Sequence, residues 1–202
     1  MDTELMLDVG QANEFKLAMR RSGWDNRDLK RLCEGDMLTR LLPVVRGLAE
    51  VNQVTHIIDC DADPFVPEGW TVEDHQKDGQ ITWDPSTFTF YLSKQQLGDK
   101  CIEGNKLRKE LAKEPTLNAC LLDYLLDRPH LIPEEWKKDQ NGNTRYIYFW
   151  KTIYRYSDGD LCVRCLCFDG GRWSWGCDFL DNDFHSSDPA LVRASKPSVL
   201  KA

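Results

Sequence analysis

Between Tyr146 and Phe179 the chain runs through three short segments of aromatic and β-branched residues. They are broken only at Ser157-Asp158-Gly159-Asp160 and at Asp169-Gly170-Gly171. Asp-Gly and Gly-Gly supply the positive φ values that tight hairpin turns need, so this spacing predicts a three-stranded antiparallel meander. A two-residue turn at Asp158-Gly159 places Tyr156 opposite Leu161, Tyr154 opposite Val163, Thr152 opposite Cys165 and Trp150 opposite Cys167. That face is apolar and is expected to pack on the core. The second face pairs Arg155 with Cys162, Ile153 with Arg164, Lys151 with Leu166 and Phe149 with Phe168.

The second hairpin decides what the mixed face carries. A two-residue Gly170-Gly171 turn puts Trp173 opposite Phe168 and Trp175 opposite Leu166, with Arg164 over Trp175 as a cation–π pair. A three-residue loop reverses the parity and sends both indoles inward. Two consecutive glycines favour the shorter turn. The candidate binding surface is then Phe149, Lys151, Arg155, Arg164, Trp173 and Trp175, a set suited to stacking on bases, sugar rings or a peptide. The competing outcome is that helices or a second sheet cover this face and leave the arginines at its rim.

Hydrophobic residues make up 41% and charged residues 29% of the 202-residue chain, as in an ordinary globular protein with a genuine core. Seven tryptophans mark cores or interfaces. A net charge of −7 argues against generalised binding to phosphate backbones. The start, Met1-Asp2-Thr3-Glu4, lacks the basic and apolar runs of a signal peptide, and no apolar stretch reaches bilayer length. A cytoplasmic location is expected, with the eight cysteines as free thiols.

Along the chain, residues 1–50 read as helical. Phe15, Ala18 and Met19 have helical spacing, Gly23 stops that helix, Asp25 and Asp36 cap the next two, and Pro43 kinks or shortens the third. Residues 51–140 read as mixed α/β. Strands are expected at Val54 to Cys60 and Thr87 to Leu92, and helix from Leu107 to Leu126 with a break at Glu114-Pro115. The meander occupies 141–188, and 189–202 reads as a loose tail. The polar stretch Lys137 to Thr144 is the one tempting domain boundary. The expected class is α+β: a helical N-terminal part and an antiparallel sheet dominated by the C-terminal meander.

Other constellations carry chemistry in principle. Asp59 and Asp61 follow an apolar strand, a pattern that can hold Mg²⁺ in a phosphohydrolase; the chain lacks the repeated βα pattern such an enzyme needs, and an acidic turn leading into Pro64 explains them more simply. Cys162 and Cys165 point to opposite faces of one strand, which does not suit zinc. The four histidines are scattered, and neither a Walker A sequence nor a Gly-x-Gly-x-x-Gly fingerprint is present. From Glu14 to Arg46, eight basic and five acidic residues leave a local charge of +3. Helix-Gly-helix-Gly-helix spacing there suggests a helix-turn-helix unit, with Arg20, Arg21, Arg40 and Arg46 as nucleic-acid contacts. Its third helix is poor in residues that read base edges.

Phe65-Val-Pro-Glu-Gly-Trp70, Leu117-Asn-Ala-Cys-Leu-Leu-Asp-Tyr-Leu-Leu126, Leu131-Ile-Pro-Glu-Glu-Trp-Lys137 and Phe168-Asp-Gly-Gly-Arg-Trp173 resemble an uncharacterised small-protein family of metagenomic candidate-phyla bacteria. The resemblance spans most of the chain and implies a bacterial, cytoplasmic protein built of recombinable modules. It brings no activity, cofactor or catalytic residue with it. The leading expectation is a non-enzymatic binding module without a cofactor, whose partner is an unidentified protein or other macromolecule. The alternatives are nucleic-acid binding through the basic helices and Mg²⁺-dependent phosphohydrolysis at Asp59 and Asp61.

Overall fold

A computed structural model describes residues 6–52, 54–98 and 100–194. The chain divides into two compact units, Met1–Val54 and Thr55–Ala202. The first holds α1 (Val9–Arg21), α2 (Asn26–Leu32) and α3 (Met37–Val45). Asp8 and Asp25 cap α1 and α2 by accepting from the first-turn N–H groups of Gln11 and of Arg27 and Asp28. Asp36 occupies the cap position of α3 without making that bond, and Pro43 lies inside α3. Leu32 is the one buried apolar residue among the described residues of this unit.

The second unit is α+β. Its strands are β1 (Ile57–Asp59), β2 (Thr71–His75), β3 (Gln80–Thr82), β4 (Phe88–Tyr91), β5 (Ile102–Glu103), β6 (Ile147–Arg155), β7 (Leu161–Asp169), β8 (Arg172–Phe179), β9 (Asp183–Phe184) and β10 (Ala190–Arg193). Two helices, α4 (Gly104–Leu111) and α5 (Ala119–Asp127), complete it. The main sheet runs β4-β10-β6-β7-β8, with β2 also paired to β6; β1 pairs with β3, and β5 with β9. The meander β6-β7-β8 is therefore present. The expected loose tail is corrected in part: residues 190–193 form an interior strand, antiparallel to β4 and parallel to β6. The rest of that tail, 195–202, lies outside the described residues. The 137–144 connector does not separate domains, since Trp136 before it and Ile147 and Phe149 after it share one core cluster.

Both faces of the sheet are covered. On one side Leu121, Leu122 and Leu125 of α5 pack with Ile147, Phe149 and Leu166. On the other, Leu107 and Leu111 of α4, with Ile102 and Phe184 of β5 and β9, pack with Tyr148, Trp150, Ile153, Val163 and Cys165. Cys162 and Cys165 do face opposite ways, Cys162 joining Ala119 and Tyr154 beneath α5. Among the described residues no helix is long and apolar enough to cross a membrane.

The second hairpin has the expected register, Phe168 opposite Trp173 and Leu166 opposite Trp175. The first does not. Tyr156 N–H donates to Asp160 C=O (2.8 Å) and Gly159 sits at φ 100°, so Ser157-Asp158-Gly159 form a three-residue loop. Arg155 consequently faces Leu161, and Tyr154 faces Cys162. The pairing shifts again between Tyr148 and Ile153. There Lys151 leaves the β7 ladder, its N–H donating to Leu117 C=O (3.1 Å) and its C=O accepting from Gln76 N–H (2.8 Å). This bulge inverts the alternation along β6, placing Phe149, Thr152 and Tyr154 together on the α5 side.

α4 starts where only glycine fits. A Cβ on Gly104 would lie 2.6 Å from Phe184 Cε2 and 2.9 Å from Leu180 O. Gly104→Ala is expected to cost about 1–3 kcal/mol in a urea unfolding titration, since backbone and a packed ring must both move.

Candidate functional site

The six residues expected to share a surface are dispersed by the bulge and the three-residue loop. Phe149 is fully buried under α5. Lys151 reaches sideways to an ion pair with Asp78. Arg155 stands on the Leu161 side, held by Glu73 (2.7 Å) and by Gly159 C=O (2.7 Å). Arg164, Trp173 and Trp175 stay together on the α5 side, and around them a different set of residues gathers.

Arg164 is the centre of that set. Its side chain is 1% exposed; Nη2 bonds Asp123 Oδ1 of α5 at 2.8 Å, and Nη1 lies 3.4 Å from both Phe65 C=O and Tyr154 Oη. Asp123 uses its other oxygen to accept from Phe65 N–H (3.2 Å), so the carboxylate and the guanidinium clasp the same loop residue. Tyr154 Oη donates to Phe65 C=O (3.1 Å). Burial pushes the Tyr154 phenol up to about 12, against the lowering effect of Arg164, which keeps that donor proton in place.

Rings line this cation. The guanidinium carbon sits 4.6 Å from the Trp175 ring centre, 5.1 Å from Phe65 and 5.8 Å from Tyr154. The cation–π pair with Trp175 expected from the hairpin register is therefore present. Trp70, delivered by the turn at Gly69 (φ 77°), meets Trp175, Tyr156 and Tyr154 edge-on at 5.2–6.0 Å. Tyr156 extends the row to Phe179. The outer members reach solvent: Phe65 is 53% and Trp175 38% exposed. Trp173 packs instead on Phe168 and on the core beneath α5.

Beside this patch runs a free sheet edge. β8 pairs with β7 alone among the described residues. Leu180 N–H donates to Leu161 C=O (2.8 Å), which makes Leu161–Leu180 a hydrogen-bonded pair. By alternation the main-chain groups of Ser174, Gly176 and Asp178 point to β7, and those of Trp173, Trp175, Cys177 and Phe179 point outward. Phe179 N–H is taken by the neighbouring Asp178 Oδ1 (2.8 Å). The open stretch is thus Trp173 to Cys177.

Other candidate sites are less constructed. Asp59 and Asp61 close a turn, Asp59 Oδ1 accepting from Asp61 N–H and Asp61 Oδ1 from Gly79 N–H. Among the described residues no three His, Cys, Asp or Glu side chains come together to hold a metal. Arg20, Arg21, Arg40 and Arg46 are all exposed, but α3 also exposes Leu38, Leu42 and Val45, an apolar stripe rather than a polar reading face. A cleft of about 760 Å³ between α4, β2 and β6 holds Arg108, Lys109, Lys113 and Lys151. Arg108 and Lys151 are already neutralised there by Asp74 and Asp78, which leaves two exposed lysines.

Sequence reasoning missed Phe65, Trp70, Tyr156 and Asp123. The Pro64-to-Gly69 turn residues, with Phe65 among them and Trp70 directly after, were the available signal. That they dock on a strand some hundred residues later was not written locally. No protein-family model, curated protein or solved structure matches the chain.

Removing Asp123 alone strands a buried guanidinium, so Asp123→Ala is expected to lower stability by about 3 kcal/mol, whereas the double change Asp123→Leu/Arg164→Met costs less than that. Chemical denaturation of the two variants compares them. In iodide quenching, Trp175→Phe should reduce the accessible emission more than Trp83→Phe, Trp136→Phe or Trp150→Phe, whose rings are 9%, 5% and 4% exposed.

Proposed function

We propose that this protein is a non-enzymatic interaction module that takes an extended polypeptide segment along β8. What supports this reading is a run of outward-facing main-chain donors and acceptors, at Trp173, Trp175 and Cys177, lying against an exposed aromatic patch. An added strand pairs its backbone with that edge, and every second side chain then falls on the Trp175–Phe65–Trp70 side. Main-chain pairing supplies affinity, and the aromatic rings select large apolar or planar side chains. The buried Arg164 holds the rings in place and does not itself reach the ligand. The reading calls for no cofactor.

Two substitutions separate the components. Cys177→Pro removes an outward N–H while leaving the β7 ladder its donors, and Trp175→Ala removes the exposed ring. Ten-residue peptides selected from an unbiased display library on the wild-type protein are expected to bind each variant about tenfold more weakly, a loss of about 1.4 kcal/mol. Peptides that bind both variants as tightly as wild type, or a selection that yields none, would overturn the proposal.

A further inference from the structure

Resting on the reading of β8 as a docking edge, we infer that its occupant is β8 of a second copy of this chain, paired antiparallel about a two-fold axis at Trp175. Arg172 and Asp178 lie three residues either side of Trp175 and on the same face of the strand, opposite to the indoles. A two-fold at Trp175 therefore sets Arg172 directly across from Asp178 of the second copy, and by symmetry does so twice.

Main-chain geometry restricts the choice of register. A hydrogen-bonded antiparallel pair exchanges two bonds between residues whose groups both point outward, so Trp173, Trp175 and Cys177 must pair among themselves. An axis at Trp175 satisfies all of them: Trp175 with Trp175, Trp173 with Cys177, and Cys177 with Trp173. Moving the axis to Ser174 sets Arg172 against Gly176 and Asp178 against Gly170. Moving it to Gly176 sets Asp178 against Ser174 and Trp173 against Phe179, whose N–H is already bonded to Asp178 Oδ1. Of these registers, the Trp175 axis alone pairs the charges.

The charged groups are placed for that role. Arg172 is exposed and enters no ion pair among the described residues. Asp178 Oδ1 accepts from Phe179 N–H and from Asn182 Nδ2 (2.7 Å), which fixes the carboxylate. Its Oδ2 has no partner among the described residues. Opposite charges flanking an edge strand ordinarily discourage pairing with other strands. Arranged symmetrically about one residue, they select pairing with self. On the other face the two Trp175 rings meet across the axis, each backed by its own Arg164.

The test is a charge swap in the full chain, read by sedimentation velocity and native mass spectrometry. At about 100 μM the wild type is expected to run at twice its 23.4 kDa chain mass. Arg172→Asp and Asp178→Lys each bring like charges together twice and weaken self-association about tenfold or more, with unchanged circular dichroism. Mixing the two variants restores the dimer as a heterodimer. As a second route that leaves both charged residues in place, Trp175→Cys in a Cys33→Ser/Cys101→Ser/Cys177→Ser background forms a disulfide-linked dimer on mild oxidation, because residues on this axis lie at disulfide distance.

A monomeric wild type, single variants as dimeric as wild type, a mixture that stays monomeric, or the absence of the cross-link would each overturn the register. If the wild type is monomeric yet the selected peptides still bind at β8, the second copy is the wrong occupant and the docking edge stands. If neither occurs, both readings fall.

Discussion

One ion pair around a buried arginine organises the aromatic patch of the second unit. Arg164 on β7 is fully buried and meets a partly exposed Asp123 on α5, so removing the carboxylate strands the guanidinium at a cost of about 3 kcal/mol. Both also bond Phe65, holding its N–H and C=O, and Arg164 reaches Tyr154 Oη as well. A helix, a strand and an irregular loop are thereby fastened at one point. Phe65 and Trp70 owe their positions against Trp175 to it, since the loop has no regular pairing of its own.

The same accounting of charge explains why the sheet does not present a basic surface. Each cation expected there is matched by an acid from a distant segment: Lys151 by Asp78, Arg155 by Glu73, Arg164 by Asp123. With the chain acidic overall, little cationic field remains to draw an anionic ligand. The patch offers π faces and main-chain hydrogen bonds, which suits a polypeptide better than a phosphate backbone.

How much of this was legible follows from how local each cause is. The β7–β8 register could be read because Gly170-Gly171 and strict alternation are both in the sequence around it. The cap at Asp25 and the helix break near Pro115 are likewise local. The phase of β6 could not be read, because its bulge depends on Leu117 and Gln76 bonding to Lys151 from elsewhere in the chain. Nor could β10, four residues following Pro189, whose strand conformation is imposed by β4 and β6 on either side. At the site, the Arg164–Trp175 contact was accessible from strand phase, whereas Asp123 looks in sequence like any polar residue on an amphipathic helix.

The interior placement of β10 has a bearing on biogenesis. Its neighbours β4 and β6 are synthesised well before it; until residues 190–193 are made, β4 lacks its partner, and β6, paired with β2 at its Thr152–Arg155 end, lacks one at Tyr148. Closure of the sheet is thus a late, high-contact-order event, and a chain ending short of Ala190 leaves the β4 border open. Truncation before Ala190 therefore yields the form of this chain most exposed to strand-mediated association.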